Sequence, residues 1–409
     1  MKKIFFLLGY NTLVQVAGKV ISTVLSLVSI GLLTRYLGQE GFGNYSLVFA
    51  YLSIFGIFSD LGLQLTMVRE LAQKKESSIY GAFFWTKSFL VIFATLLSWL
   101  FLLIFPYSKF LKIAILIASF GFALGSLNNF GTVIFQANLR LDLVTLVDVI
   151  SRVVTVGFII VFVSLGRGLY SILNTILLGN LAGSILTIFL LRKFIAFDFQ
   201  FDFNLAKKII RQSLPVGLIS ILALLYFKID TLILSIFRGA REVGIYSLAY
   251  KVLENILVLW GYYMASVYPL LAKFSKEKTK YEEIFGKSLK IGFWGGVGVL
   301  IIGWIFAPLI IKILGGEEFG EGITTLRILF AGLPLFFVNN LFYHRFLTMG
   351  WSIEILEVIA SALILNVVLN LILIPIWGYF ATSGNTLVTE ISIFILYYIL
   401  NFKRRFKKD

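Results

Sequence analysis

Predominantly apolar runs of about twenty residues recur along this chain, and nothing else in it so narrows the possible folds. As a helix, a run of that length spans about 30 Å, the thickness of a bilayer's hydrocarbon core. Runs bounded by charge, Gly or Pro number twelve. They lie near residues 11–34, 43–66, 82–105, 112–136, 143–165, 169–191, 212–237, 243–271, 288–313, 323–348, 354–376 and 380–401. Helices are expected, because lipid offers no water to an unsatisfied backbone. Composition agrees: the 409 residues are 59% hydrophobic and 14% charged, against about 25% charged in a soluble domain. The connections are short, so no separate soluble domain is expected.

The formal net charge is +15. In a membrane chain such charge reports topology first. With Lys2 and Lys3 placed in the cytoplasm, 24 Lys and Arg fall inside and 8 outside. Lys19, Arg152, Lys228 and Lys251 remain within spans. The excess predicts an even number of spans, both termini cytoplasmic, in the cytoplasmic (inner) membrane, and no nucleic-acid partner. The start, Met1-Lys2-Lys3 before an apolar run, resembles a signal peptide. No small-residue cleavage site follows, so it reads as the entry to the first helix. There is no cysteine and one histidine, His344. Disulfides, thiolate metal sites and cysteine nucleophiles are excluded. No P-loop is present. No catalytic residue, metal or cofactor is expected.

The two halves echo each other. Gly38, Gly43, Tyr45, Ser46 and Leu47 match Gly239, Gly244, Tyr246, Ser247 and Leu248 at an offset of 201. Asn128-Asn129 matches Asn339-Asn340, and Asn174-Thr175 matches Asn385-Thr386, both at 211. The offset grows across the extra loop GGEEFGEG, residues 315–322. Six spans separate the repeats, an even number, so both halves enter the membrane in one direction. The expected fold is all-α, with about twelve transmembrane helices in two six-helix lobes, residues 1–200 and 201–409. A pseudo-two-fold axis along the membrane normal would relate them, with a cavity between.

Three segments resemble a known family: TRYLGQEGFGNYSLVFAYLSIF with SDLGLQLTMVREL (34–71), YFKIDTLILSIFRGAREVGIYSLAYKV (226–252) and NLILIPIWGYFATSGNTLVTEI (370–391). They are similar to the polysaccharide lipid flippases, the O-antigen and capsule-unit (Wzx-type) exporters. That family shares a superfamily with the multidrug and toxin exporters. The resemblance implies a central cationic cavity and an undecaprenyl-pyrophosphate-linked oligosaccharide as cargo. It also implies membrane lipids, a polysaccharide polymerase and a chain-length regulator as partners, and a monomer. The last segment departs from the family's usual IP-x-x-G-x-x-G-A-A, reading IPIWGYFATSGNT here.

Charges inside a membrane are costly and default to function. Lys19, Arg152, Lys228 and Lys251 are therefore the candidates for binding an anionic cargo. Asp148 and Arg152 are four apart and share a helix face, as Lys251 and Glu254 do at three, so each pair can also neutralise itself. Lys228 and Asp230, two apart, point to different faces and need partners elsewhere. Asp60, Asp230, Glu357 and Glu390 are candidates for coupling to a proton or sodium gradient. A multidrug exporter would favour an acidic cavity for organic cations. A polymerase or ligase would need a large external loop bearing catalytic Arg or His, and the loops here are short.

Overall fold

The computed structural model describes residues 2–73, 77–195 and 202–406. Expectations resting on Lys74, Lys75, Lys407 and Lys408, and the lobe boundary at 200, lie outside the described residues. Those residues are helical, without a strand. The helices are α1 (Lys2–Gly56), α2 (Leu63–Gln73), α3 (Ser77–Leu102), α4 (Lys109–Ala137), α5 (Leu141–Ser164) and α6 (Leu169–Leu191), then α7 (Phe203–Lys273), α8 (Lys278–Gly315), α9 (Gly322–Ala331), α10 (Leu333–Thr348), α11 (Ser352–Trp377) and α12 (Tyr379–Phe406).

Helices and crossings do not correspond one to one. α1 has 55 residues and α7 has 71, each too long for one passage through a bilayer. Each is broken once. Gly38 has φ 65 and ψ −174; Gly239 has φ 80 and ψ −177. This backbone region is essentially closed to residues with a Cβ. The breaks stand at the sequence repeat's offset and share one geometry. α9 and α10 bend by 43° at Gly332, with Pro334 in the first turn of α10, and together have the length and apolarity of one crossing. Among the described residues nine helices are long and apolar enough to cross a membrane, or ten with the bent pair as one span; dividing α1 and α7 at their breaks gives the expected twelve.

Span 2 stops earlier than expected. A short 3-10 turn, Ile57–Ser59, ends it. Leu61 and Gly62 then take positive φ, 44 and 79. A Cβ on Gly62 would lie 2.6 Å from the Ser213 carbonyl oxygen. Only glycine allows that approach.

Two compact units divide the chain. Unit 1 is Met1–Leu37 with Val48–Leu224, and unit 2 is Gly38–Leu47 with Leu225–Asp409. The core of unit 1 includes Leu63, Met67, Phe83, Phe130, Phe135 and Leu191. In unit 2, Tyr246, Leu248, Phe319, Leu326, Phe330 and Phe346 are buried. Large apolar side chains also face outward, among them Leu103, Ile104, Trp294, Ile305, Ile364 and Ile376. Such a surface suits lipid and would aggregate in water.

Unit 2 contains a close crossing of the two repeated segments. A Cβ on Gly43 would meet the Ala240 carbonyl oxygen at 1.7 Å and the Gly244 nitrogen at 2.9 Å. A Cβ on Gly244 would meet the Gln39 carbonyl oxygen at 2.0 Å and the Gly43 nitrogen at 3.1 Å. Gln39 and Ala240 are themselves 201 apart. Equivalent residues of the repeat thus contact each other reciprocally, with backbone against backbone. Above the crossing, the Arg241 Nε donates to Gln39 Oε1 at 2.7 Å, and Arg241 pairs with Glu321 at 2.5 Å.

Candidate functional site

Each unit carries its own cluster of intramembrane charge. In unit 1, α1 lies on α5 through Gly18, whose small size admits Thr145. The Ser22 hydroxyl donates to Asp148 Oδ2 at 2.9 Å. Arg152 pairs with Asp148 one turn along α5, at 3.2 Å, and both are more than a third exposed. Lys19 is exposed and makes no ion pair among the described residues. Two cations and one carboxylate leave one net positive charge.

Unit 2 repeats that stoichiometry with a different scaffold. Glu254 Oε1 accepts from the Lys228 ammonium at 2.6 Å, and its Oε2 accepts from Lys251 at 2.7 Å. Lys228 reaches across from the half of α7 before Gly239; Lys251 and Glu254 lie on the half after it. The Lys228 ammonium also stands 5.9 Å from the Tyr250 ring centroid. Again the net charge is one positive. The pairing of Lys228 with Asp230 does not occur, in keeping with their spacing.

Asp230 turns the other way and is buried, 3% exposed. It accepts from Asn370 Nδ2 at 2.6 Å, the Tyr246 hydroxyl at 3.2 Å and the Thr386 hydroxyl at 3.3 Å. Asn370 also donates to Asn366 and accepts from Asn385, both at 2.9 Å. Glu390, 2% exposed, accepts from the Tyr226 hydroxyl and from Asn339 Nδ2, each at 2.7 Å. Neither carboxylate has a cationic partner among the described residues. Hydrogen bonds soften the cost of a buried charge but do not neutralise it.

Asp60 and Glu357, the remaining acidic candidates, lie in different settings. Glu357 is exposed on α11. Asp60 sits at the break that ends span 2 and pairs with Lys87 at 3.0 Å. The Lys87 ammonium also donates to the Ser59 carbonyl oxygen at 2.8 Å. Lys87 is 1% exposed, so it is not a loop-end cation, as a count by topology would have it. It caps the carbonyl end of the 3-10 turn, where a positive charge is favoured. Lys87→Met is expected to destabilise the protein by about 1–3 kcal/mol, by stranding the partly exposed Asp60 and the Ser59 carbonyl. Thermal unfolding in detergent would show this, and adding Asp60→Asn should recover part of the loss. No recovery would mean that the pair is not what Lys87 serves.

The sequence alone does not reveal that Glu254 bridges two lysines, or that an amide ladder surrounds Asp230. The ladder leaves a faint signal, since Asn366 and Asn370 are one turn apart and Asn385-Thr386 belongs to the repeat. No group of three or more His, Cys, Asp or Glu able to hold a metal occurs among the described residues.

Comparison with known proteins bears on the family and the fold. The model of a family described as "Polysaccharide biosynthesis protein" matches residues 8–275, and the MatE family model matches residues 215–372. The chain is 25% identical over 345 residues to the "Putative O-antigen transporter" of Shigella flexneri, covering 81% of this chain and 82% of that one. Its fold is similar to the lipid II flippase MurJ in an inward closed conformation, with TM-score 0.78, 16% identity, and 95% and 87% of the two chains covered. It is equally similar to an inward-facing multidrug resistance MATE transporter of the MOP superfamily, with TM-score 0.78, 16% identity, and 96% and 97% covered.

Proposed function

We propose that this chain, which belongs to the polysaccharide biosynthesis protein family, is a flippase for undecaprenyl-pyrophosphate-linked oligosaccharides. It moves the head group from the cytoplasmic to the outer leaflet of the cell membrane by alternating access, without covalent chemistry. Both termini lie in the cytoplasm, and the product feeds surface polysaccharide assembly. The observation that carries this reading is the cation excess in both charge clusters. Lys228 and Lys251 outnumber Glu254 two to one, and in unit 1 the exposed Lys19 adds a further cation to the Arg152–Asp148 pair. A pyrophosphate is an anion that needs cations in a medium of low dielectric constant. Moderate affinity suits a transporter, because tight capture would stall release.

A buried carboxylate with no cation beside it is best neutralised by a mobile one. We assign Asp230 and Glu390 to the coupling of flipping to a proton or sodium gradient. Asp60, tied to Lys87, serves the helix break instead, and exposed Glu357 lacks an enclosing set of donors. A second reading draws on the MatE match over residues 215–372 and on the same buried acids: export of organic cations. Two results separate them. Deletion should abolish surface polymer and leave lipid-linked units inside, while resistance to cationic dyes stays unchanged. Lys228→Ala combined with Lys251→Ala should lower flipping in proteoliposomes by about a hundredfold, the scale of two lost charge-assisted contacts. Undiminished flipping at normal expression would sink the anionic-cargo reading.

A further inference from the structure

We propose that Glu254 is an internal counter-ion that the cargo's phosphate displaces, and that it sets the rate of release. The inference rests on the flippase reading above. Its basis is the geometry of Lys228, Glu254 and Lys251. Each carboxylate oxygen engages a different lysine, at 2.6 and 2.7 Å. A carboxylate is about as wide as one face of a phosphate and offers the same acceptor oxygens. Glu254 therefore holds the two ammonium groups at the spacing a phosphate would use.

The three side chains are 20%, 27% and 42% exposed in the order Lys228, Glu254, Lys251. The cluster is thus reachable, unlike Asp230 and Glu390. A purely structural ion pair needs one lysine for one glutamate. Here a second lysine is present, and each ammonium has three N–H donors, of which Glu254 takes one. Donors and one positive charge remain for an arriving anion. Once the anion is seated, Glu254 lies beside it as a like charge. That repulsion raises the energy of the loaded state and not of the empty one. The empty site is held in shape at the same time, because two lysines without a carboxylate would repel each other.

The test uses full-length protein in detergent for binding and in proteoliposomes for flipping. Farnesyl pyrophosphate serves as the binding probe and dye-labelled undecaprenyl pyrophosphate as the flipping probe. Glu254→Gln and Glu254→Ser both remove the charge, so misfolding of one leaves the other. Either is expected to bind farnesyl pyrophosphate about tenfold tighter, the scale of one charge-assisted contact, and to flip about tenfold more slowly. Glu254→Asp is expected to restore flipping to within about twofold. A residue that merely held the fold would weaken binding and turnover together. Unchanged or weaker binding in the uncharged variants, with Lys228→Ala and Lys251→Ala each weakening it, overturns the counter-ion role and spares the flippase reading. No effect from either lysine overturns both.

Discussion

Gly43→Ala is expected to yield no correctly folded protein in the membrane. The new Cβ would sit 1.7 Å from the Ala240 carbonyl oxygen, and that atom belongs to backbone and cannot rotate away. Relief requires the two helices to part by more than an ångström, which forfeits the dispersion contacts of the whole crossing. Overpacking costs about 1–3 kcal/mol where side chains can shift, and more where, as here, only backbone can give way, a large part of a total stability of about 5–15 kcal/mol. Gly244→Ala should behave alike, since its Cβ would meet the Gln39 carbonyl oxygen at 2.0 Å. Gly239→Ala is the informative contrast. Nothing lies within 4 Å of its Cβ, so only the backbone penalty applies, about 1–3 kcal/mol. Folded yield by size-exclusion chromatography in detergent should rank Gly239→Ala well above both crossing variants. Equal yields would show that the close approach is not what holds this crossing.

Asp230→Asn should leave the fold intact and remove the coupling. The amide has the carboxylate's shape. Its oxygen can accept from Asn370, and the Tyr246 and Thr386 hydroxyls can turn to accept from its nitrogen. What is lost is the charge that a proton or sodium ion would neutralise. Stimulation of flipping by an imposed gradient is expected to fall about a hundredfold, while equilibration without a gradient persists. Reconstitution with separate sodium and pH gradients also identifies the ion. Full stimulation in the Asn variant would exclude Asp230 as the coupling group.

How far the fold can be read from sequence depends on which physical signal each feature leaves. Span number leaves a strong one, because each crossing needs a long apolar run and the cytoplasmic loops collect Lys and Arg. The breaks at Gly38 and Gly239 are legible as a repeat before any angle is known. Lys87 is not legible: a lysine near a span end reads as a loop cation, and only the fold brings it to Asp60. The charge sites are legible by residue type but not by partner. Lys228 takes Glu254 from the next crossing, and Asp230 takes an amide from α11 and a hydroxyl from α12. Such partners depend on how helices pack, which a periodic apolar pattern does not encode.

The short stretch Gly38–Leu47 joins unit 2, while the chain before and after it belongs to unit 1. Residues from Phe203 to Leu224, early in the second half of the sequence, belong to unit 1. A gene cut at the midpoint of the repeat would thus encode two polypeptides, neither of them holding every piece of one unit. Each half of the sequence supplies a segment to the unit built mainly from the other half, so neither unit is encoded in one unbroken stretch.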